Sequence, residues 1–126
     1  MTHERLSPDT VHPTKGYSHA SKVGDLLFVA GQVAQDRDLN VVGVGDMEAQ
    51  AHQTYRNLRS VLEAAGSDLN HIVKMTTYLV DRAHIETYRA VKSEYFTEPM
   101  PPNTLCLIDG LASPEFLIEV EAVAAL

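Results

Sequence analysis

Two glutamates, Glu119 and Glu121, lie two residues apart in the run Phe116-Leu117-Ile118-Glu119-Val120-Glu121-Ala122-Val123-Ala124. In an extended strand, residues two apart share a face. Both carboxylates therefore leave on the side that carries Leu117 and Val123. Phe116, Ile118, Val120 and Ala122 line the other side. A carboxylate aimed into a cleft can orient and deprotonate water, whereas one on a wet strand face is only solvated, and alternation alone favours the wet face. The other residues with chemical potential are Tyr17, His19, Gly31, Arg89, Asn103 and Cys106. Each also has a plain reading. Tyr17 and His19 suit the surface of an edge strand, Arg89 the solvated side of a helix, and Asn103 a turn after prolines. A lone cysteine in an apolar strand reads as a buried structural thiol.

The elements that would position these residues follow from periodicity. Met1 to Lys15, with Pro8 and Pro13, reads as an irregular lead-in. Gly16 to Val23 alternates as a strand, and Leu26 to Ala30 is a continuous apolar strand ended by Gly31, a residue that lets a backbone approach a ligand closely. Gln32 to Gly45 is a loop or short hairpin with Val41-Val42-Gly43-Val44 as a minor strand. Asp46 is an N-cap for a helix whose apolar face is Ala51, Thr54, Tyr55, Leu58, Val61, Leu62 and Ala65, with Gly66 as its stop. Ile72 to Val80 is a strand with Val73, Met75, Thr77 and Leu79 on one face. Asp81 caps a second helix with Ile85, Tyr88, Val91, Tyr95 and Phe96 as its apolar positions, broken by Pro99 to Pro102. Asn103 to Ile108 and Phe116 to Ala124 then read as a terminal hairpin around Asp109 to Pro114. The order β-β-(β)-α-β-α-β-β predicts one α+β domain over residues 1–126, a mixed sheet with two helices on one face. Its other face needs a cover, and a second copy of the chain is the natural one.

Composition narrows the function. Seventeen acidic and ten basic residues give a net charge of −7, which opposes electrostatic capture of nucleic acid. Six scattered histidines, none at i, i+4, and one cysteine offer no metal-ligand spacing, so no metal is expected. Gly43-Val44-Gly45 lacks the dinucleotide and P-loop patterns. No long apolar run or basic-then-apolar leader is present, which leaves a membrane-free, cytoplasmic address as the expectation.

Taken in order, Gly16-Tyr17-Ser18, Leu27-Phe28-Val29-Ala30-Gly31-Gln32, Ile72-Val73-Lys74, Thr77-Tyr78-Leu79-Val80-Asp81, Tyr95-Phe96 and Ile118-Glu119-Val120-Glu121-Ala122-Val123-Ala124 resemble the Rid family. These are the YjgF-type reactive-intermediate imine/enamine deaminases, some of which carry the label endoribonuclease L-PSP. The similarity runs through nearly the whole chain from Gly16. It implies a chorismate-mutase-like fold and a homotrimer with a central β-barrel and three clefts between subunits. It also implies hydrolysis of a small enamine or imine derived from an amino acid (a 2-iminoacid) to a 2-oxo acid and ammonia, without metal or organic cofactor. By that resemblance Glu119 holds the attacking water, and Tyr17 and the Gly31 backbone line the pocket.

The sequence departs from the family pattern at one decisive place. Where the deaminases have Pro-Ala-Arg-Ser, this chain has Pro102-Asn103-Thr104 after Pro101, so the carboxylate-gripping arginine is replaced by Asn103. A guanidinium holds a carboxylate with two charge-assisted bonds, and an amide offers only neutral donors. Leu105 replaces the family cysteine and Cys106 follows it. Ala30 replaces a serine, His19 replaces a glutamine, and the loop before Glu119 is one residue longer. Arg89 stands where asparagine is common, which suggests an exchange of side-chain types across the cleft. The site is thus expected to comprise Glu119 and Tyr17 as catalytic groups, with Gly31, Asn103, Arg89, His19 and Cys106 around the substrate. The alternatives are a non-catalytic ligand-binding trimer and, less favoured by charge, an RNA-cleaving enzyme.

Overall fold

The computed structural model describes residues 2–126 and shows an α+β fold, one six-stranded mixed sheet with two helices. The strands are β1 (Glu4–Leu6), β2 (Ala20–Val23), β3 (Leu26–Gln32), β4 (Ile72–Leu79), β5 (Asn103–Leu107) and β6 (Ile118–Ala125). The helices are α1 (Met47–Ala64) and α2 (Ile85–Lys92). Spatial order across the sheet is β1-β2-β3-β6-β4-β5.

This order corrects the expected terminal hairpin. β5 and β6 do not pair: β4 lies between them, antiparallel to β6 and parallel to β5. Two β-rich runs joined by a loop are compatible with a hairpin, but β6 gains partners on both sides by entering between β3 and β4. β5 then takes the open edge beside β4. The stretch expected to be irregular also contains a strand, β1, which pairs antiparallel with β2; its first residue, Met1, lies outside the described residues. β2 begins only at Ala20, because the Gly16 turn (φ +82°) and the following loop occupy the start of the expected strand. The expected minor strand near Val41 amounts to a single bridge from Gln35 to Val41.

Helix α1 starts and stops as its sequence dictates. Asp46 accepts from the Ala49 N–H at 3.1 Å, an N-cap interaction worth about 1 kcal/mol. Gly66, at φ +87°, takes the left-handed position after the helix end. The face formed by Ala51, Tyr55, Leu58, Val61 and Leu62 is buried. It packs on the sheet face carrying Leu27, Val29, Met75, Leu79, Ile118 and Val120. α2 is shorter than expected: Asp81 caps a 3-10 turn (Arg82–His84) by accepting from Ala83 N–H at 2.8 Å, and Tyr95 and Phe96 pack beyond the helix end.

The expected alternation of β6 holds: Ile118, Val120, Ala122 and Ala124 are buried, and Glu119, Glu121 and Val123 face the other way. β4 keeps the expected phase from Met75 through Thr77 to Leu79, but a register shift against β6 between Ile72 and Lys74 buries Ile72 and exposes Val73. The helix-free sheet face is open in the single chain. Phe28 on it is 46% exposed, with Val123 as its register partner. No helix among the described residues is long and apolar enough to cross a membrane.

Candidate active site

β6 delivers Glu119 to the open face beside the bulge in β3. Between Val29 and Gln32 the β3 chain advances three residues while its partner β6 advances two, from Ala122 to Val120. The extra residue is absorbed at Ala30-Gly31, and bulges of this kind re-aim neighbouring groups. Gly31 then lies directly against Glu119. A Cβ at Gly31 would fall 2.5 Å from Glu119 Oε2 and 2.6 Å from its Cδ. The absence of a side chain at Gly31 is what makes room for the carboxyl group. Burial raises the Glu119 pKa above the usual glutamate range, and the charge of Glu121 adds to the rise. Glu121 is itself held by the Tyr78 hydroxyl, which donates to its Oε1 at 2.9 Å.

Tyr17 reaches the same place from the loop before β2. That loop is fixed by Thr14, whose hydroxyl donates to the Tyr17 carbonyl at 2.6 Å. The Tyr17 ring is half exposed, yet burial and the nearby Glu119 charge both raise its pKa. Glu119, Gly31 and Tyr17 are therefore brought together. Next to them a trough of about 780 Å³ crosses the open face, lined in part by Tyr17, Phe28, Lys74, Thr76 and Glu121. Glu119 and Gly31 are not among its walls, and the trough meets them through Tyr17, Ala30 and Glu121.

Of the other expected site residues, His19, Asn103 and Arg89 lie off the open face, whereas Cys106 lies on it, in one row with Tyr78 and Glu119 across the β5–β4–β6 register. His19 is fully buried under Tyr17, its Nε2 bonded to the His12 carbonyl at 2.8 Å and its Nδ1 to the Gln32 amide at 3.1 Å. Asn103 faces the helices. Its Oδ1 accepts from Thr77 Oγ1 at 2.9 Å and its Nδ2 donates to the Tyr88 hydroxyl at 2.7 Å. Arg89 is exposed on α2, and it is its buried neighbour Tyr88 that reaches Asn103. The expected exchange between Arg89 and Asn103 is thus not a contact in this chain. Cys106 is a partly buried free thiol opposite Tyr78 in the β4–β5 register.

Residues the sequence reading passed over complete the surroundings. Lys74 places its Nζ 2.7 Å from Thr104 Oγ1 and 2.8 Å from the Met75 carbonyl. Gln50, buried in α1, donates to the Gly43 and Glu115 carbonyls and accepts from Leu117 N–H at 2.9 Å, which pins the loop entering β6 two residues before Glu119. A glutamine on an otherwise apolar helix face is the signal that would have identified it. Among the described residues no group of three or more His, Cys, Asp or Glu could hold a metal ion.

Comparison with known proteins gives a consistent picture. A family model described as Endoribonuclease L-PSP matches residues 7–126. A RutC family protein of Pyrococcus abyssi is 38% identical over 112 residues, covering 89% of this chain and 87% of the relative. The crystal structure of RidA from an Antarctic Psychrobacter superposes with a TM-score of 0.91 at 26% identity, covering 98% of this chain and 99% of that one. The YjgF gene product of E. coli superposes with a TM-score of 0.89 at 26% identity, covering 97% and 98%.

Proposed function

Because this chain belongs to the endoribonuclease L-PSP family, which includes the Rid and YjgF proteins, we propose that it hydrolyses the C=N bond of a small imine, or of the imine tautomer of an enamine, in the cleft at Glu119. The observation that carries this reading is the seat of Glu119: a carboxyl group with a raised pKa, held against a glycine that leaves it just enough room, with a tyrosine hydroxyl nearby. A partly buried carboxylate in such a seat is a suitable general base. Glu119 takes one proton from water as the water oxygen adds to the imine carbon, and delivers it to the nitrogen to give a carbinolamine. It then takes the carbinolamine hydroxyl proton and passes it to the nitrogen as the C–N bond breaks and C=O forms, so that a carbonyl compound and ammonia leave. Tyr17 donates to the substrate, and the Gly31 backbone lets it lie close.

By the resemblance in sequence, Asn103 stands where the family's deaminases carry arginine. Its amide is engaged with Thr77 and Tyr88. The substrate is accordingly an imine or enamine other than the plain 2-iminoacids. The working unit is a homotrimer in which the open sheet face, with Phe28, is covered by other copies. The exposed apolar residues on that face support this arrangement.

The test is ammonia release from imines and enamines generated in situ, both with and without a carboxylate, using the wild type and Glu119→Gln. Turnover that falls by about 10²- to 10⁴-fold in Glu119→Gln, the usual weight of a general base, supports the reading. Equal turnover in the two proteins removes Glu119 from the mechanism. The inward-facing Asn103 favours one second reading, a trimer that binds a small molecule without turning it over. No acceleration across the panel, with saturable binding by calorimetry, would establish that instead. RNA cleavage is disfavoured by the net charge of −7.

A further inference from the structure

We propose that His19 is a positioning residue: through Gln32 it fixes the Ala30–Gly31 peptide and so holds the seat against which Glu119 rests. The inference rests on the reading of Glu119 given above.

The hydrogen bonds define the relay. The His12 carbonyl can only accept, so His19 Nε2, at 2.8 Å from it, carries the ring proton. Nδ1 is then an acceptor, and it receives the Gln32 Nε2 amide at 3.1 Å. The same Gln32 nitrogen donates to the Ala30 carbonyl at 3.0 Å. Reversing the Gln32 amide would set oxygen against oxygen there, so the assignment is fixed by chemistry. The backbone adds a further tie, since the His19 carbonyl accepts from Ala30 N–H at 2.8 Å. Ala30 is thus held at both its N–H and its carbonyl, and Gln32 is held through its side chain. Gly31 lies between them in the bulge, where the regular ladder to β6 is interrupted.

A second contact links this arrangement to the site: the His19 ring stands edge-on to Tyr17, with centroids 6.3 Å apart. One buried side chain therefore supports both the glycine and the tyrosine of the site.

The experiment compares His19→Leu, His19→Gln and Gln32→Met in the full chain. A glutamine side chain supplies one donor and one acceptor, as the neutral imidazole does, whereas leucine fills space alone. Expected results are a kcat loss of about 10- to 100-fold for His19→Leu and Gln32→Met with KM within about threefold, and recovery in His19→Gln. A second readout does not depend on turnover: the titration of the Glu119 side-chain carboxyl by carbon-13 NMR. Its midpoint should fall toward the usual glutamate range in His19→Leu and Gln32→Met and stay raised in His19→Gln. If the wild type turns over no imine, the hydrolase reading fails and the NMR titration alone decides the positioning role. Unchanged kcat and unchanged midpoint in both relay variants overturn the proposal. So does a His19→Gln variant as impaired as His19→Leu, and so does loss of the fold in both relay variants, which would make the relay a stability element only.

Discussion

Gly31 and Glu119 occupy a single space: a methyl group on the first would overlap the carboxyl group of the second. Gly31 has no positive φ that would by itself demand glycine. Gly31→Ala is therefore expected to leave the fold intact by circular dichroism while displacing the Glu119 side chain. With reacting groups shifted by about 1 Å, kcat should drop by about 100-fold, and steady-state kinetics on an active substrate would measure it. A larger side chain such as valine should be no better tolerated.

The raised pKa of Glu119 makes a stability prediction whose sign can be worked out. A carboxyl group whose folded-state pKa lies above its unfolded value, near 4.5, binds protons more readily when folded. Its contribution to stability is fully present below the unfolded value and is lost as pH rises through the folded value. Glu119→Gln removes that loss. Thermal melts should show the variant more stable than wild type at neutral pH, with the difference vanishing on acidification below the ordinary glutamate range.

Glu121 contributes the second part of that rise, and Tyr78 holds it in place. Glu121→Gln should therefore move the acidic limb of the pH–rate profile to lower pH, because Glu119 would ionise more easily. The profile of kcat/KM against pH measures this directly. A limb that does not move would show that burial alone raises the Glu119 pKa.

Asn103 is expected to act through stability. Asn103→Ala leaves the Thr77 hydroxyl and the buried Tyr88 hydroxyl each short of a partner, a cost of about 1–3 kcal/mol. Urea denaturation of Asn103→Ala, Tyr88→Phe and the double variant should give a double loss smaller than the sum of the singles.

The open sheet face gives a test of assembly. Phe28→Glu places a charge on the open sheet face, where Phe28 is exposed, and the proposed trimer predicts that this variant sediments as a monomer where the wild type sediments as a trimer.

Much of this architecture was legible in the sequence because burial leaves a period. α1 was delimited by Asp46 and Gly66, and the faces of β6 followed from Ile118, Val120 and Ala122 alternating with the two glutamates. Pairing was harder to read, since strand neighbours are chosen by long-range contacts that no local pattern encodes. The orientation of Asn103 was hidden for a specific reason: in Asn103-Thr104-Leu105-Cys106-Leu107 both faces mix polar and apolar residues, so alternation gives no phase. His19 read as a surface residue because the run Gly16 to Lys22 around it is largely polar. It is buried by the preceding segment, where Val11 and His12 are themselves buried. The bulge that brings Gly31 to Glu119 is a one-residue offset between β3 and β6. It becomes visible only once those strands are known to be partners.

The place of β6 in the sheet also has a consequence for how the chain is made. β1, β2 and β3 form one half of the sheet and β4 and β5 the other, and β6 joins the halves. During synthesis β6 follows all the strands it joins, so both halves wait with an unpaired edge until it leaves the ribosome. Such edges are templates for wrong partners. Glu119 rides on this strand, so the step that closes the sheet also installs the carboxylate. A nascent chain holds no seat for Glu119, and a chain in which β6 fails to insert keeps two unpaired edges that invite aggregation.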